Sequence, residues 1–355
     1  MTLPDKQLVL VSDQFLAQAV VHWQASHGRH DLPWQNTRDP YRVWLSEIML
    51  QQTQVVTVLD YFARFLHQFP DVGALAQASL DEVLSLWSGL GYYSRARNMH
   101  RCAQEVMHHH AGVFPPTAQQ LQGLPGIGPS TAAAVASLCF SERVAILDGN
   151  VKRVLTRYLG FDADLALAKN ERHLWQQATA LLPSTDLPHT MPRYTQGMMD
   201  LGATLCTANK PACTKCPLQT RCLAYASGNP QGFPVKTRRI KRSAQSLWLL
   251  WARSGEGALW LSQRPTPGVW AGLYCFALFD SHAALQASVP VDFREHLTDL
   301  PAFKHVLTHK DLHLHPVQVL LPGGIKPDVS GAWFGPEQWP RLGLPAPVSK
   351  LLRLA

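Results

Sequence analysis

Long apolar runs are missing from this 355-residue sequence, and none approaches the ~20 residues of a membrane-spanning helix. The start, MTLPDKQLVLVSDQFLAQAV, lacks the basic segment and continuous apolar core of a secretory signal. Cysteine is scarce and odd in number: there are seven, of which Cys102, Cys139 and Cys275 are scattered in apolar surroundings. A disulfide framework is therefore not expected, and the sequence predicts a cytoplasmic protein in a reducing compartment.

A large excess of one charge is also missing, since the formal net charge is +7. Most of that excess falls in PVKTRRIKRS, which has five basic side chains and no acidic one. Smaller basic clusters lie at 95–101, 152–157 and 210–221. Such patches suit a polyanionic partner, although for any single patch a solvated helix face is the better interpretation.

Apolar spacing predicts two kinds of structure along the chain. Residues 5–225 carry apolar side chains near the helical period, and several segments begin after Asp or Ser and end before Gly. From about residue 244, SLWLLWAR and ALWLSQR flank SGEG, a pattern that indicates a β hairpin, while APVSKLLRLA closes the chain as a helix. We therefore expect a helical domain over 1–227, a basic linker over 228–243 and a domain of strands and helices over 244–355.

Four of the seven cysteines, Cys206, Cys213, Cys216 and Cys222, follow one another with the spacing C-x6-C-x2-C-x5-C. In a reducing compartment, grouped thiolates bind zinc or iron–sulfur clusters. Zinc sites usually have two close pairs, whereas this loop has one C-x2-C flanked by single cysteines. The spacing favours a [4Fe–4S] cluster over zinc without deciding between them, and leaves open a redox or a structural role.

The segment LQGLPGIGPSTAAAV predicts a helical hairpin that binds phosphate. Gly126 and Gly128 allow the backbone to approach a ligand closely, and the amides at the start of the next helix then face an anion. Contacts of this kind bind phosphate without reading sequence. An ordinary tight turn is the alternative for a single G-x-G, but the whole segment is more specific than that.

Two carboxyl groups lie in environments that should separate their pKa values. Glu47 is in VWLSEIML, where apolar neighbours would desolvate it, raise its pKa and make it a general acid. Asp148, in RVAILDGNVKRVL, precedes a helix that begins near Gly149, so it should cap that helix and stay ionised. Capping alone would also explain Asp148. Together, one proton donor and one negative charge are what cleavage of a glycosidic bond requires.

The order of these motifs resembles the endonuclease III superfamily of helix-hairpin-helix DNA glycosylases, and within it the branch that removes adenine. The segments that carry the resemblance are LPWQNTRDPYRVWLSEIMLQQTQV, LWSGLGYYSRARN, LPGIGPSTAAAV, AILDGNVKRVL, QGMMDLGATLC and the cysteine loop. The resemblance implies an all-helical glycosylase domain. It also implies that the four cysteines bind a [4Fe–4S] cluster, which organises a loop that engages DNA.

The same resemblance implies roles for individual residues. Glu47 would protonate adenine N7 and later assist water, and Asp148, with Asn150 beside it, would stabilise an oxocarbenium-like transition state. Gln51 and Tyr92 would enter the duplex when the adenine is flipped out, a step needed because the reacting bond is inaccessible inside the stack.

Further positions concern the adenine pocket and the sugar. The resemblance places Trp34, Leu50 and Gln196 in the pocket. Ser130 occupies the hairpin position where relatives that also cleave the backbone have a nucleophilic lysine. Serine cannot form a Schiff base, so a monofunctional hydrolase is expected. For Lys152, phosphate contact is the simpler role, although it lies near enough to Asp148 in sequence to trap the sugar.

The C-terminal part resembles a Nudix-like α/β domain that reads 8-oxoguanine opposite the adenine, with RPTPGVWAGLYCF as its motif. A Nudix hydrolase needs a helix dense in glutamate to bind magnesium, and ALFDSHAALQASVP has no such array. The matching recognition loop is Leu307-Thr308-His309, where the family has Phe-Ser-His. His313 and His315 alternate with leucines, which indicates a polar strand face more than a metal site.

The resemblance as a whole implies a monomeric, nucleoid-associated DNA glycosylase of base excision repair. Its substrate would be duplex DNA containing adenine opposite 8-oxoguanine or guanine. Two alternatives are a bifunctional glycosylase/lyase for oxidised pyrimidines, which Ser130 disfavours, and an iron–sulfur redox sensor that binds DNA, which the Glu47 and Asp148 pair disfavours.

Overall fold

The computed structural model of the chain describes residues 14–237, 242–322 and 324–353. Three of the basic residues in the expected linker, Arg238, Arg239 and Lys241, therefore lie outside the described residues. Contacts divide the chain into two compact units. The first contains the described residues up to Gln52 and those between Glu105 and Arg239, and the second contains Thr53–Gln104 and the described residues after Ile240.

Helices make up most of the chain before residue 230. In chain order they are α1 (Gln14–His27), α2 (Pro40–Leu50), α3 (Val55–Gln68), α4 (Val72–Gln77), α5 (Leu80–Leu86), α6 (Ser94–His110), α7 (Ala118–Leu121), α8 (Pro129–Phe140), α9 (Gly149–Leu159), α10 (Ala168–Ala180), α11 (Leu187–Thr204) and α12 (Leu223–Ala226). None of the helices within the described ranges is both long enough and apolar enough to cross a bilayer.

Helix α11 is central to the first unit and packs against α1, α8 and α9. Two glycines allow this close packing. A Cβ atom at Gly197 would lie 2.7 Å from Val20 of α1, and one at Gly202 would lie 2.6 Å from the Cβ atom of Asn150. Because Asn150 is in the first turn of α9, Gly202 allows α11 to approach the start of α9 closely.

The long apolar segment around Glu47 forms two helices. The periodicity predicts helical structure throughout YRVWLSEIMLQQTQVVTVLDYFARFLHQF, but α2 ends at Leu50 and α3 begins at Val55. Gln52 has a φ of 55°, in the left-handed region, and this breaks the continuous helix that the pattern suggested. The break places Gln51 at the end of α2.

The second unit contains a mixed sheet. Its strands are β1 (Ser243–Ser254), β2 (Leu259–Gln263), β3 (Tyr274–Cys275), β4 (Ala277–Phe279), β5 (Thr298–Asp299), β6 (Phe303–Val306), β7 (Lys310–Leu321) and β8 (Ala332–Phe334). The main order is β3-β2-β1-β7-β5, with β1 and β7 parallel and β1 and β2 antiparallel. The hairpin predicted around SGEG is confirmed, as is the closing helix, which is α14 (Ala346–Leu352) after the short α13 (His282–Ala287).

Helical residues 53–104 pack with this sheet domain inside the second unit. The Oγ atom of Ser88 donates to the carbonyl oxygen of Leu344 at 2.9 Å, and the hydroxyl of Tyr93 donates to the same oxygen at 3.3 Å. A Cβ atom at Gly343 would lie 2.6 Å from the Cβ atom of Leu84, so this contact also requires a glycine. The second unit therefore combines residues that are far apart in sequence.

Candidate active site

Glu47 lies near the end of α2, in the first unit. Its side chain is only partly exposed, next to the buried Trp44, whose ring packs 5.2 Å from that of Phe114. Desolvation by the surrounding protein raises the pKa of Glu47 from 4.5 to about 7, and the negative charge of Asp148 adds to this. At neutral pH a large fraction of Glu47 is therefore protonated, as the apolar sequence around it predicts.

Asp148 is the N-cap of α9. Its Oδ1 atom accepts from the backbone N–H of Val151 at 2.7 Å, which is the capping contact expected from the sequence. Burial raises the pKa of Asp148 above its usual value, and the N–H groups of Val151 and Asn150 and the nearby Arg153 and Lys152 offset only part of this rise. The cap and the two cations thus favour the anion without cancelling the effect of burial.

The predicted hairpin joins α7 and α8. Gly126 has a φ of 76°, a conformation that favours glycine, and Gly128 is the N-cap of α8 with no side chain in front of the helix start. Ser130, in the first turn of α8, accepts from the backbone N–H of Leu147 at 3.1 Å. The hydroxyl of Ser130 therefore fixes the backbone immediately before Asp148.

A cavity in the first unit brings together two of the predicted adenine-pocket residues, Trp34 and Gln196. Val43, one helical turn before Glu47, also lines it, so the cavity lies along α2. Leu50 is not among the described residues that line this cavity. Gln51 instead donates from Nε2 to Thr131 at 3.3 Å, which links the end of α2 to the hairpin helix α8.

The four clustered cysteines line one small cavity in the loop after α11. Within the described ranges, no three His, Cys, Asp or Glu side chains converge as the ligands of a single metal ion do.

Arg157 is buried beside this cavity. Its Nη1 atom lies 3.4 Å from the Sγ atom of Cys206, and the guanidinium donates to the carbonyl oxygens of Thr207 and Ala208 at 2.7 and 2.9 Å. Its side chain has no carboxylate partner in the described part of the chain. The interpretation of the 152–157 cluster as a solvated patch is therefore wrong for Arg157, which faces the cysteines from inside.

Burial disfavours the ionised form of three of the four clustered thiols. Burial raises the pKa of Cys216 to about 11 and also raises those of Cys213 and Cys222. Thiolates are the form that binds metal, and burial disfavours them unless cationic iron and Arg157 compensate their charge. The buried cation and the four cysteines that line one cavity fit a cluster bound by these cysteines.

Arg153 connects the start of α9 to the cysteine loop. It donates to Asn150 Oδ1 at 2.8 Å, to the carbonyl oxygen of Gly202 at 2.6 Å and to that of Cys206 at 2.7 Å. Asn150, a predicted site residue, is thus held next to the cap formed by Asp148. The ammonium of Lys152, by contrast, is paired with the carboxylate of Glu171.

Tyr92 belongs to the second unit and is exposed. It has a φ of 48°, a rare value for a bulky residue, and lies in a turn that Arg95 holds through the carbonyl oxygens of Leu90 and Gly91 at 3.3 and 3.2 Å. The phenol oxygen of Tyr92 is 2.6 Å from the hydroxyl oxygen of Thr308. Two of the predicted DNA-contacting residues are therefore in direct contact.

The segment Leu307-Thr308-His309 connects β6 and β7. The backbone N–H of Leu307 donates to the carbonyl oxygen of Lys310 at 2.8 Å, which closes the turn, and Thr308 and His309 are exposed at its tip. On β7, His313 is exposed between the buried Leu312 and Leu314. His313 therefore lies on a polar face of the strand, as the sequence predicts.

Comparisons with known proteins agree with this two-part architecture. Residues 45–179 match the HhH-GPD superfamily base excision DNA repair protein family, and residues 248–354 match the NUDIX domain family. The adenine DNA glycosylase of Buchnera aphidicola subsp. Acyrthosiphon pisum is 37% identical over 344 residues, which are 95% of this chain and 96% of that protein. The chain belongs to the adenine DNA glycosylase family.

Other members of this family and solved structures support the assignment. The adenine DNA glycosylase of Mus musculus is 45% identical over 206 residues, 56% of this chain and 39% of that protein. The structure of a thermostable thymine-DNA glycosylase gives a TM-score of 0.53 at 27% identity, covering 61% of this chain and 97% of that one. The predicted fold class is confirmed, and the chain is a DNA N-glycosylase.

A further structure shares the fold alone. A non-covalent endonuclease III–DNA complex gives a TM-score of 0.51 at 20% identity, covering 64% of this chain and 99% of that one. Both structural matches cover almost the whole of the other chain but under two thirds of this one.

Sequence reasoning missed a buried polar network in the adenine DNA glycosylase site. Asp200 of α11 is fully buried and accepts from Arg29, Gln35 and Gln196. Its partners Arg29 and Gln35 are 171 and 165 residues away in sequence, so no local pattern could pair them. The available signal was a lone aspartate inside the apolar segment MMDLGA of α11.

Proposed function

We propose that this adenine DNA glycosylase hydrolyses the N-glycosidic bond of adenine mispaired with 8-oxoguanine or guanine in duplex DNA. The observation that carries the proposal is the carboxyl pair of the first unit. Glu47 has a pKa of about 7, and the charge of Asp148 contributes to that value. A protonated carboxyl together with a second carboxyl whose anionic form accepts from the N–H of Val151 matches the needs of glycosidic cleavage.

The two carboxyls have different tasks in this mechanism. Protonated Glu47 donates its proton to the departing adenine, whose N7 is the acceptor, and the resulting carboxylate then helps to deprotonate water. Asp148, held by the N–H of Val151, places its negative charge beside the positive charge that develops on the sugar. Cleavage in this way requires the adenine to leave the base stack first.

We propose that the enzyme uses water as its nucleophile and leaves an abasic site. Ser130 carries no amine, and its hydroxyl is engaged with the backbone N–H of Leu147. The amine of Lys152 is paired with Glu171. Neither side chain is therefore presented as a free nucleophile for the sugar, and strand cleavage is not expected.

We propose that Cys206, Cys213, Cys216 and Cys222 hold a [4Fe–4S] cluster, which fixes the fold of their loop when bound. Lys210 and Lys215 are exposed in that loop and suit contact with DNA phosphates. Analysis of purified protein should find about four irons per chain. One zinc per chain would contradict this assignment.

We propose that residues 244–355 read the base opposite adenine and do not hydrolyse nucleotides. Helix α13, HAALQA, carries no carboxylate that could bind magnesium. The exposed turn with Thr308 and His309 supports a recognition role. The boundaries 1–227, 228–243 and 244–355, and action as a monomer in the cytoplasm, remain part of the same proposal.

Single-turnover base release from duplexes with adenine opposite 8-oxoguanine, guanine or thymine tests the proposal. We expect release opposite the first two and strand breaks only after alkali. Breaks before alkali would contradict the hydrolase mechanism. Absence of adenine release from all three duplexes would contradict the substrate.

A further inference from the structure

Arg242 is the last basic residue of the predicted linker, and the proposed function gives it no task. Its side chain is half-exposed, yet it binds two groups beside the turn Leu307-Thr308-His309. The Nη2 atom donates to the carbonyl oxygen of Leu307 at 3.0 Å, and the same atom is paired with Oδ1 of Asp311. Leu307 begins the turn and Asp311 follows it on β7, so Arg242 joins the two ends of the turn.

Asp311 is the anion that orients Arg242. Its side chain is 21% exposed, and its two oxygens contact different cations, since Oδ1 is paired with Arg242 and Oδ2 lies 2.6 Å from Nζ of Lys304. A single ion pair at a surface contributes little, whereas several charges that form a network hold their geometry better. The network directs the guanidinium of Arg242 toward the carbonyl oxygen of Leu307.

The residue after Arg242 holds the other side of the same turn. The backbone N–H of Ser243 donates to the carbonyl oxygen of His309 at 3.2 Å. Two consecutive residues at the start of β1 thus bind the carbonyl oxygens on both sides of Thr308. The position of Thr308, at the exposed tip, therefore depends on these two contacts.

We propose that Arg242 is a positioning residue for recognition of the base opposite adenine, because together with Asp311 it fixes the turn that presents Thr308 and His309. This inference rests on the proposed function of residues 244–355. A mobile turn loses conformational entropy when it binds a base, whereas a turn that is fixed beforehand avoids most of this cost. A planar guanidinium suits the task, since its rigid geometry sets the angle between its two hydrogen bonds.

Contact with a DNA phosphate is the alternative role for Arg242, and it predicts a different result. A side chain that neutralises a phosphate strengthens binding to every duplex alike and carries no information about the bases. A side chain that fixes the turn instead changes the discrimination between opposite bases. Lysine separates the two roles, because it keeps the charge but lacks the planar fork.

The test compares the wild type with Arg242→Lys and Asp311→Asn, each in the full-length chain. One readout is amide hydrogen exchange in residues 306–310, and the other is the ratio of single-turnover adenine release opposite 8-oxoguanine to release opposite guanine. We expect faster exchange in both variants and a ratio lower by about two- to tenfold, the range that one net hydrogen bond corresponds to. Release opposite guanine should change little, since both substitutions leave the carboxyl pair intact.

Arg253→Lys is the matched control. Arg253 lies at the other end of β1, in register with Leu320, so this variant should change neither readout. Because Arg242 and Asp311 act through one contact, the double variant should lower the ratio little further than either single variant does. Effects on the ratio that simply add would overturn action through Asp311.

Two results would overturn the inference as a whole. The first is unchanged hydrogen exchange together with an unchanged ratio in both single variants. The second is an equal loss of release opposite both bases with unchanged exchange, which would indicate contact with phosphate.

Failure of this inference is distinguishable from failure of the proposed function. If the wild type prefers 8-oxoguanine and both variants keep that preference, only the inference fails. If the wild type releases adenine equally well opposite both bases, the proposed reading of the opposite base fails, and the inference fails with it.

Discussion

The carboxyl pair of the first unit and the turn Leu307-Thr308-His309 of the second unit present polar groups in opposite ways. Glu47 is desolvated enough to raise its pKa to about 7, and Asp148 is fixed by a helix cap and two nearby cations. Thr308 and His309 are exposed at the tip of a hairpin. Proton transfer depends on a shifted pKa, which burial supplies, whereas contact with a base in DNA requires groups that water can also reach.

This comparison predicts a large effect for Glu47→Gln. Loss of the general acid should lower the single-turnover rate of adenine release by about 10²- to 10⁴-fold. Glu105→Gln is a matched control, because Glu105 is a half-exposed glutamate on α6 whose only ion pair in the described part of the chain is with His109. Equal loss in both variants, or loss of DNA binding in Glu47→Gln, would show that the effect is not proton transfer.

The same substitution, Glu47→Gln, should increase the stability of the protein although it lowers the rate. Its folded pKa lies above the unfolded value, so the folded state disfavours the ionised form, and stability falls as pH rises from about 4.5 to about 7. Glu47→Gln removes this cost. The variant should be more stable than the wild type by at most about 3 kcal/mol at pH 8 and equal at pH 4.5.

Denaturant titrations at the two pH values measure this difference. A variant that is less stable than the wild type at pH 8 would mean that Glu47 makes stabilising contacts as an anion. The desolvation of Glu47 would then be too small to explain its raised pKa, and the contrast with the exposed turn would be lost.

The rate should depend on pH through the same group. The active form of Glu47 is protonated, so adenine release should decline above about pH 7 and approach a tenfold loss for each further pH unit. The residual rate of Glu47→Gln should lack this decline. A wild-type rate that rises between pH 7 and 9 would exclude Glu47 as the proton donor.

The exposed turn should give the smallest effect. Thr308→Ala removes one hydroxyl that also contacts Tyr92, and we expect the preference for 8-oxoguanine over guanine to fall by about two- to tenfold. His313→Ala, an exposed change on the neighbouring strand β7, should leave the preference unchanged. An equal effect from both variants would show that the preference depends on overall charge or stability and not on the exposed turn.

Local sequence predicts the parts of this molecule that depend on neighbours in the chain. The cap at Asp148, the hairpin glycines and the apolar surroundings of Glu47 all involve residues within a few positions of each other. The network of Asp200 and the contact of Ser88 with Leu344 join residues more than 150 positions apart. Such pairs depend on tertiary packing, which periodicity and spacing do not contain.

The break between α2 and α3 was not predicted from the sequence, although the residues involved are neighbours in the chain. Residues 51–54 are four consecutive polar residues that interrupt the apolar pattern, but they include neither Gly nor Pro. Packing overrides the local preference there, and Gln52 adopts a left-handed backbone that few sequences would reveal. Gln51, expected inside a helix, is therefore at its end.

The hydrogen bond between Ser130 and Leu147 also limits how this enzyme can change in evolution. A lysine at position 130 would bring the amine that strand-cleaving relatives use, but it would remove the acceptor for the N–H group of Leu147. That N–H precedes Asp148, to which we assign the stabilisation of the sugar. For the proposed hydrolase, a change to a lyase would thus pass through a variant with a weakened catalytic centre, and a second substitution that restores the acceptor would have to accompany the first.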